Sequence, residues 1–158
     1  MQVQTGYLYH IKDEFFDKVK DSGLSINHEN GHSRPSYLAI KDKDVLWFIP
    51  LSSKVDKYKP IIEKKERKYG YCKTILIKEI AGREEVILIQ NAFPTIEKYV
   101  KSQHMIEGKY IKISSAIKKE IVNDLEYMFT LKKKGLNLFF TDIDKIKKIM
   151  LDELSVTV

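Results

Sequence analysis

The run Val45-Leu46-Trp47-Phe48-Ile49 contains no polar residue, and Tyr37 to Ile40 forms a second apolar run just before it. Lys41-Asp42-Lys43-Asp44 lies between them, a polar turn of hairpin length, so the two runs predict a buried antiparallel hairpin. The later strand then stops at Pro50-Leu51-Ser52-Ser53-Lys54. A core strand ending this way sets small hydroxyls at the rim of a sheet, where backbone groups and cations can meet a phosphate.

The charge distribution supports that direction. The chain of 158 residues carries a formal net charge of +6. Between Lys54 and Lys73, eight basic residues oppose three acidic ones, so nearly all of the excess is local. A field of this kind attracts a phosphate backbone and weakens as salt rises. A solvated lysine-rich loop is the plainer reading of the same segment. Hydrophobic residues at 43% and charged residues at 32% fit one globular domain, residues 1–158, with a real core. No apolar run approaches the roughly 20 residues of a membrane span. The first residues lack the basic and apolar regions of a signal peptide. The single cysteine, Cys72, fits a reducing compartment, so the expected location is the cytoplasm.

The remaining elements follow from periodicity. Gly6 to Ile11 reads as a strand, and Asp13 as the cap of a short helix through Lys20 with Phe15, Phe16 and Val19 on one face. Asp21 to Pro35 reads as a loop. Lys73 to Ile80 and Glu85 to Gln90 read as a second hairpin of central strands around Ala81 to Glu84. Pro94 is expected to start a short helix through Val100, and Tyr110 to Ile113 a last strand. Ser114 or Ser115 caps the longest helix, which stops at Gly135, and Asp142 opens a final one. The expected class is α+β: five or six antiparallel strands in a compact curled sheet, with helices added.

No Walker or dinucleotide glycine loop and no cysteine pair is present in the sequence; His28 and His32 are four residues apart, but in a segment that reads as a loop and not a helix. No cofactor or metal is therefore expected. The residue types suit RNA chemistry, because RNA carries its own nucleophile. An enzyme needs only to deprotonate the 2′-hydroxyl, neutralise the phosphorane and protonate the departing 5′-oxygen. Two sets offer this. One is His28, His32 and Arg34, ahead of the second strand; the other is Ser52, Ser53, Lys54 and Lys57, after the third. Hairpin topology puts Arg34 and Ser53 at the same sheet edge. Each residue also has a bland role. The serines can satisfy backbone groups where the strand ends, and the histidines can be ordinary loop residues.

These residues resemble a known family. Arg34-Pro35-Ser36-Tyr37-Leu38-Ala39-Ile40, a short hairpin, then Phe48-Ile49-Pro50-Leu51-Ser52-Ser53-Lys54 is similar to the toxins of type III toxin–antitoxin systems, the ToxN/AbiQ family. Length, tyrosine content and the Asp42-Lys43 turn resemble its CptN branch. The resemblance implies a Kid/MazF-like barrel with a long C-terminal helix. It implies a metal-independent endoribonuclease that leaves 2′,3′-cyclic phosphate ends, arrests growth and aborts phage infection. It further implies inhibition by a small repeated pseudoknot RNA, which the toxin itself processes, and closure of protein and RNA into a ring-like assembly. Ser53 matches the family's essential hydroxyl, Ser52 its neighbour, and Arg34 a basic residue before the second strand. The family's lysine falls one or two places beyond the serine. Here Lys54 follows at once and Lys57 lies further on, so either is a candidate. Where the family has a loop tyrosine, this chain offers His28 and His32, with His28 preferred for proton transfer.

For RNA grooves the candidates are Tyr58, Lys59, Lys64, Lys65, Arg67, Lys68, Tyr69, Tyr71 and Lys73, together with Lys118, Lys119, Lys132, Lys133 and Lys134 of the long helix. Two alternatives stand: a non-catalytic RNA-binding module, and a toxin of the same fold held by a protein antitoxin.

Overall fold

The computed structural model describes residues 2–29 and 32–156. Its centre is a seven-stranded antiparallel sheet, built on β1 (Leu8–Ile11), β4 (Ser36–Asp42), β5 (Val45–Ser52), β6 (Leu76–Ile80), β7 (Arg83–Ile87), β8 (Phe93–Thr95) and β9 (Val100–Gln103). The order is β6-β7-β5-β4-β1-β9, with β8 added to β5. Two small hairpins lie outside it: β2 (His28–Glu29) with β3 (His32–Ser33), and β10 (Met105–Ile106) with β11 (Lys109–Tyr110). Four helices complete the fold: α1 (Asp13–Val19), α2 (Val55–Tyr69), α3 (Ser115–Lys133) and α4 (Ile143–Val156).

Strand β5 is the spine, and all eight of its residues are buried. One edge pairs with β4, from Asp42 opposite Val45 to Ser36 opposite Pro50. The other edge is shared: β8 takes Leu46 to Phe48, and β7 takes Leu51 and Ser52. Pro50 stands at the changeover. It has no N–H to offer a neighbour, and its carbonyl accepts from Leu88 N at 3.0 Å. A register shift between Leu38 and Ile40 bulges β4 and adds to the bend.

Alternation sorts the apolar residues into two cores. Leu8, Tyr37, Trp47, Ile49 and Leu51 pack with Ile121, Leu125 and Met128 of α3. Tyr9, Ile11, Leu38, Leu46 and Phe48 pack with Phe15 of α1 and with Ile146 and Met150 of α4. A third, small cluster sets Ile75, Val86 and Leu88 under Val55, Tyr58 and Ile62 of α2.

Several expectations change. Lys54 to Lys73 is mostly helix and not a loop. Its inward residues are few, none of α2 is buried, and Pro60 interrupts it, so its apolar period is faint. No helix starts at Pro94; Phe93, Pro94 and Thr95 are buried as a strand against β5, and a single 3-10 turn (Glu97–Tyr99) leads into β9. The second hairpin is shorter than its apolar run and not central, since β6 lies at one end of the sheet. Its turn is Ala81-Gly82, both at positive φ, 52° and 81°. Asp13 does not cap α1; Lys12 holds that position, without a side-chain bond. Within Tyr110 to Ile113, only Tyr110 belongs to a strand, the small β11, and Lys112 bridges to Tyr7. The long helix keeps its expected limits: Ser114 Oγ accepts from Ile117 N at 3.4 Å, and Gly135 follows the last turn at φ 97°.

The C-terminal helix is tied to the start of the chain. Glu153 accepts from Lys18 and from Tyr99 Oη at 2.6 Å, and lies 3.5 Å from Lys98 Nζ. Gly23 backs onto Phe140, where a Cβ would sit 1.8 Å from the carbonyl oxygen. Burial pushes the Glu153 carboxyl up, but the bonds from Lys18 and Tyr99 outweigh it and hold the group below its ordinary value. A depressed carboxylate stabilises the fold above its unfolded pKa of about 4.3, and that stability is lost as pH falls through the folded value. Glu153→Gln is therefore expected to cost about 1 kcal/mol at pH 7 and much less at pH 3. Urea unfolding at both pH values checks this, and an equal loss at the two would refute it.

Candidate active site

The end of β5 is where the sequence concentrates its chemistry. Leu51 N donates to Pro35 O at 3.0 Å, which extends the β4–β5 ladder and brings Arg34 alongside Ser52. Arg34 N donates to Asn27 O at 2.5 Å, so this arginine is also tied to the loop that carries His28. Ser52 is buried, and its Oγ accepts from Lys54 N at 3.2 Å. Ser53 and Lys54 are exposed. Ser53 O accepts from Val55 N at 2.9 Å as the chain turns into α2. The structure thus gathers Arg34, Ser52, Ser53 and Lys54 at one sheet edge. Lys57 lies one turn into α2, its Nζ 5.2 Å from the centre of the Tyr58 ring.

The two loop histidines differ. His28 Nε2 is 2.8 Å from Asp13 Oδ1, which also accepts from Asn27 Nδ2 at 2.8 Å. The bonds from Asn27 and His28 hold the Asp13 carboxyl below its ordinary value. A carboxylate on one imidazole nitrogen fixes the ring's orientation and leaves the other nitrogen for a substrate. His32 is exposed on β3, opposite Glu29.

Two further histidines meet here that sequence reasoning did not single out. Ser33 Oγ lies 2.5 Å from His10 Nδ1, and His10 Nε2 lies 2.8 Å from His104 Nδ1. Burial, then His104 and Lys101, push the His10 imidazole below its ordinary value; burial and Arg83 do the same to His104. His10 is on β1 and shares the face of Leu8, which lies opposite Tyr37, itself opposite Ile49. Leu51 continues that row, and Ser53 follows it one residue past the strand. Arg34 and Ser36 line the other face, with Pro50, Asn27 and Phe16 around a small cleft. The one available signal was a polar residue, His10, at an inward position of an apolar strand. His104 is 94 residues away, and no spacing links the two.

The RNA-groove candidates fall into separate places. Lys65, Tyr69, Tyr71 and Lys73 line a cavity of about 300 Å³ between the end of α2 and α3, floored by Leu131, Leu136 and Leu138. Tyr127, also missed, completes it: its Oη is 2.9 Å from that of Tyr71, and Lys73 Nζ lies 4.3 Å from its ring centre. Lys64, Arg67 and Lys68 are exposed along α2, as Lys119 is on α3. Others are engaged within the fold. Lys59 lies 3.9 Å from Glu84, and Lys118 donates to Thr5 Oγ1 at 3.1 Å. Lys132 pairs with Asp144 at 2.8 Å and, with Lys133, lines a groove of about 720 Å³ beside Trp47 and Phe129. Lys134 ends α3 and is exposed. Among the described residues no three His, Cys, Asp or Glu side chains cluster as metal ligands, and no helix is long and apolar enough to cross a membrane.

No protein-family model matches the sequence, and no curated protein matches it. Among solved structures the chain is similar to AbiQ, a lactococcal anti-phage endoribonuclease belonging to the type III toxin–antitoxin system. The TM-score is 0.71 over 98% of each chain, at 16% sequence identity. At this identity the likeness is one of fold, and it extends over nearly the whole of both chains.

Proposed function

We propose that the protein is an endoribonuclease toxin of a type III toxin–antitoxin system. The observation that carries this is the AbiQ fold over the whole chain, combined with Ser52 and Ser53 beside Arg34 at its open sheet end. The cationic and aromatic surface of α2 supports RNA as the substrate. No metal is required in this reading, because the 2′-hydroxyl supplies the nucleophile.

In the proposed reaction the 2′-oxygen attacks the adjacent phosphorus in line. Arg34, with Lys54 or Lys57, offsets the charge that builds on the phosphorane. Ser53 hydrogen-bonds the phosphate, while buried Ser52 shapes the turn that presents it. His28, oriented by Asp13, protonates the departing 5′-oxygen, and His32 is the alternative donor. The products are a 2′,3′-cyclic phosphate and a 5′-hydroxyl. A repeated pseudoknot RNA that the enzyme itself cuts is the proposed inhibitor. Bound over α2, it covers the site and links toxins into a ring in the cytoplasm. Growth arrest and abortive phage infection are the proposed outcome.

Two predictions test this reading. RNA incubated with the protein in EDTA is expected to gain cyclic-phosphate ends, and Ser53→Ala to slow cleavage about 10²–10³-fold. Bound but uncut RNA would indicate a binding module instead, and a fully active Ser53→Ala would place the site elsewhere. In that variant, RNA affinity is expected to fall steeply with salt, and Tyr127→Ala or Lys73→Ala to weaken it about tenfold. Unchanged affinity in both would remove the α2–α3 cavity from the RNA surface.

A further inference from the structure

Ser33, His10 and His104 come from three strand-associated segments, yet they form one continuous hydrogen-bonded chain. Both imidazoles are half-buried, and the 2.8 Å contact joins ring nitrogen to ring nitrogen. A bond of that kind needs one nitrogen with a proton and one without. The chain therefore has two consistent arrangements. In the first, Ser33 donates to His10 Nδ1, His10 Nε2–H donates to His104 Nδ1, and His104 Nε2–H points onward. In the second, every proton has moved one place: His104 Nδ1–H donates to His10 Nε2, and His10 Nδ1–H donates to Ser33. Passing between the two carries one proton along the chain.

We propose that this chain is a proton relay for RNA cleavage, with Ser33 Oγ as the atom that meets the attacking 2′-hydroxyl. The proposal rests on the endoribonuclease reading. Ser33 precedes Arg34, and its partner His10 lies on the face of the sheet that Ser53 continues. The step balances. The 2′-oxygen gives its proton to Ser33 Oγ and forms the bond to phosphorus. Ser33 passes its own proton to His10 Nδ1. His10 passes its Nε2 proton to His104 Nδ1, and His104 releases its Nε2 proton to water. The electron pair of the P–O5′ bond leaves with the 5′-oxygen, which takes its proton from a different donor. Ser33 ends neutral, both imidazoles end neutral, and exchange with water resets the tautomers.

The surroundings suit such a task. A base at the end of a relay needs neutral imidazoles. Burial, the mutual contact, Lys101 on β9 and Arg83 at the tip of the β6–β7 hairpin all push the pair towards neutrality. The same two cations make the pair a poor resting place for a proton, so one that enters at Ser33 does not stay on either ring. His10 and His104 are positioning and conducting residues here; Ser33 is the catalytic contact.

Single-turnover cleavage of a short single-stranded RNA across pH tests this, with Ser33→Ala, His10→Gln, His104→Gln and Ser53→Ala compared at saturating protein. Ser33→Ala and His10→Gln are expected to lose about a hundredfold in rate with RNA affinity unchanged. The wild-type rate is expected to rise through a midpoint below about 6.5, the ordinary histidine value, and His104→Gln to move that midpoint. If Ser53→Ala is inactive while Ser33→Ala and His10→Gln keep the wild-type rate and pH profile, the relay is wrong and the endoribonuclease reading survives. If Ser53→Ala also cleaves normally, the reading of the site itself has failed. A measurement on the unaltered protein guards against misfolded variants. Imidazole nitrogen NMR is expected to show His10 and His104 titrating together, both below the ordinary value. Independent titration of each ring at the ordinary value overturns the proposal.

Discussion

Everything in this fold leans on the pairing of β5. It is covered on both faces, bonded along one whole edge, and divided on the other between β8 and β7. Pro50 marks the division because it has no hydrogen-bond donor to give either partner. Beyond that point the strand belongs to a different neighbour. Its last residues are pulled towards the β6–β7 hairpin and α2, away from β8 and the core under α4. The rim that results carries Ser53 and the row that leads to His10 on one face, and Arg34 with Ser36 on the other. One imino acid in a buried strand thus divides the second edge of β5 between two neighbours.

What could be read beforehand follows from how strong each local signal is. The β4–β5 hairpin was legible because its strands are unbroken apolar runs around a charged turn. The limits of α3 were legible because Ser114 and Gly135 are opposite kinds of punctuation. Helix α2 was not, because it keeps only Val55, Tyr58 and Ile62 towards the sheet and carries Pro60 inside it. Segment 93–95 was not, because Pro before a short amphipathic stretch usually opens a helix. Only the free edge of β5 turns it into a strand, and that edge is a tertiary fact.

The site divides the same way. Arg34 and Ser53 could be related from sequence because hairpin topology is local arithmetic. The chain from Ser33 through His10 to His104 depends on β1 lying between β4 and β9. That placement comes from the order of strands, which no periodicity reveals. Tyr127 belongs with Tyr71 and Lys73 only because α3 returns across the end of α2. Composition offered the residue types; long-range pairing decided which of them met.

The bond between Lys18 and Glu153 joins the first helix to the last. β1 likewise waits for β9, and the core around Phe15 and Phe48 is closed by Ile146 and Met150. A chain being synthesised exposes its first strand long before the partners of that strand exist. His10 in turn meets its ring partner only once His104 has emerged. Contacts of such long sequence separation make folding slow, and they make it late. The order of synthesis therefore leaves the first strand and the core around Phe15 without their partners until the last helix has been made.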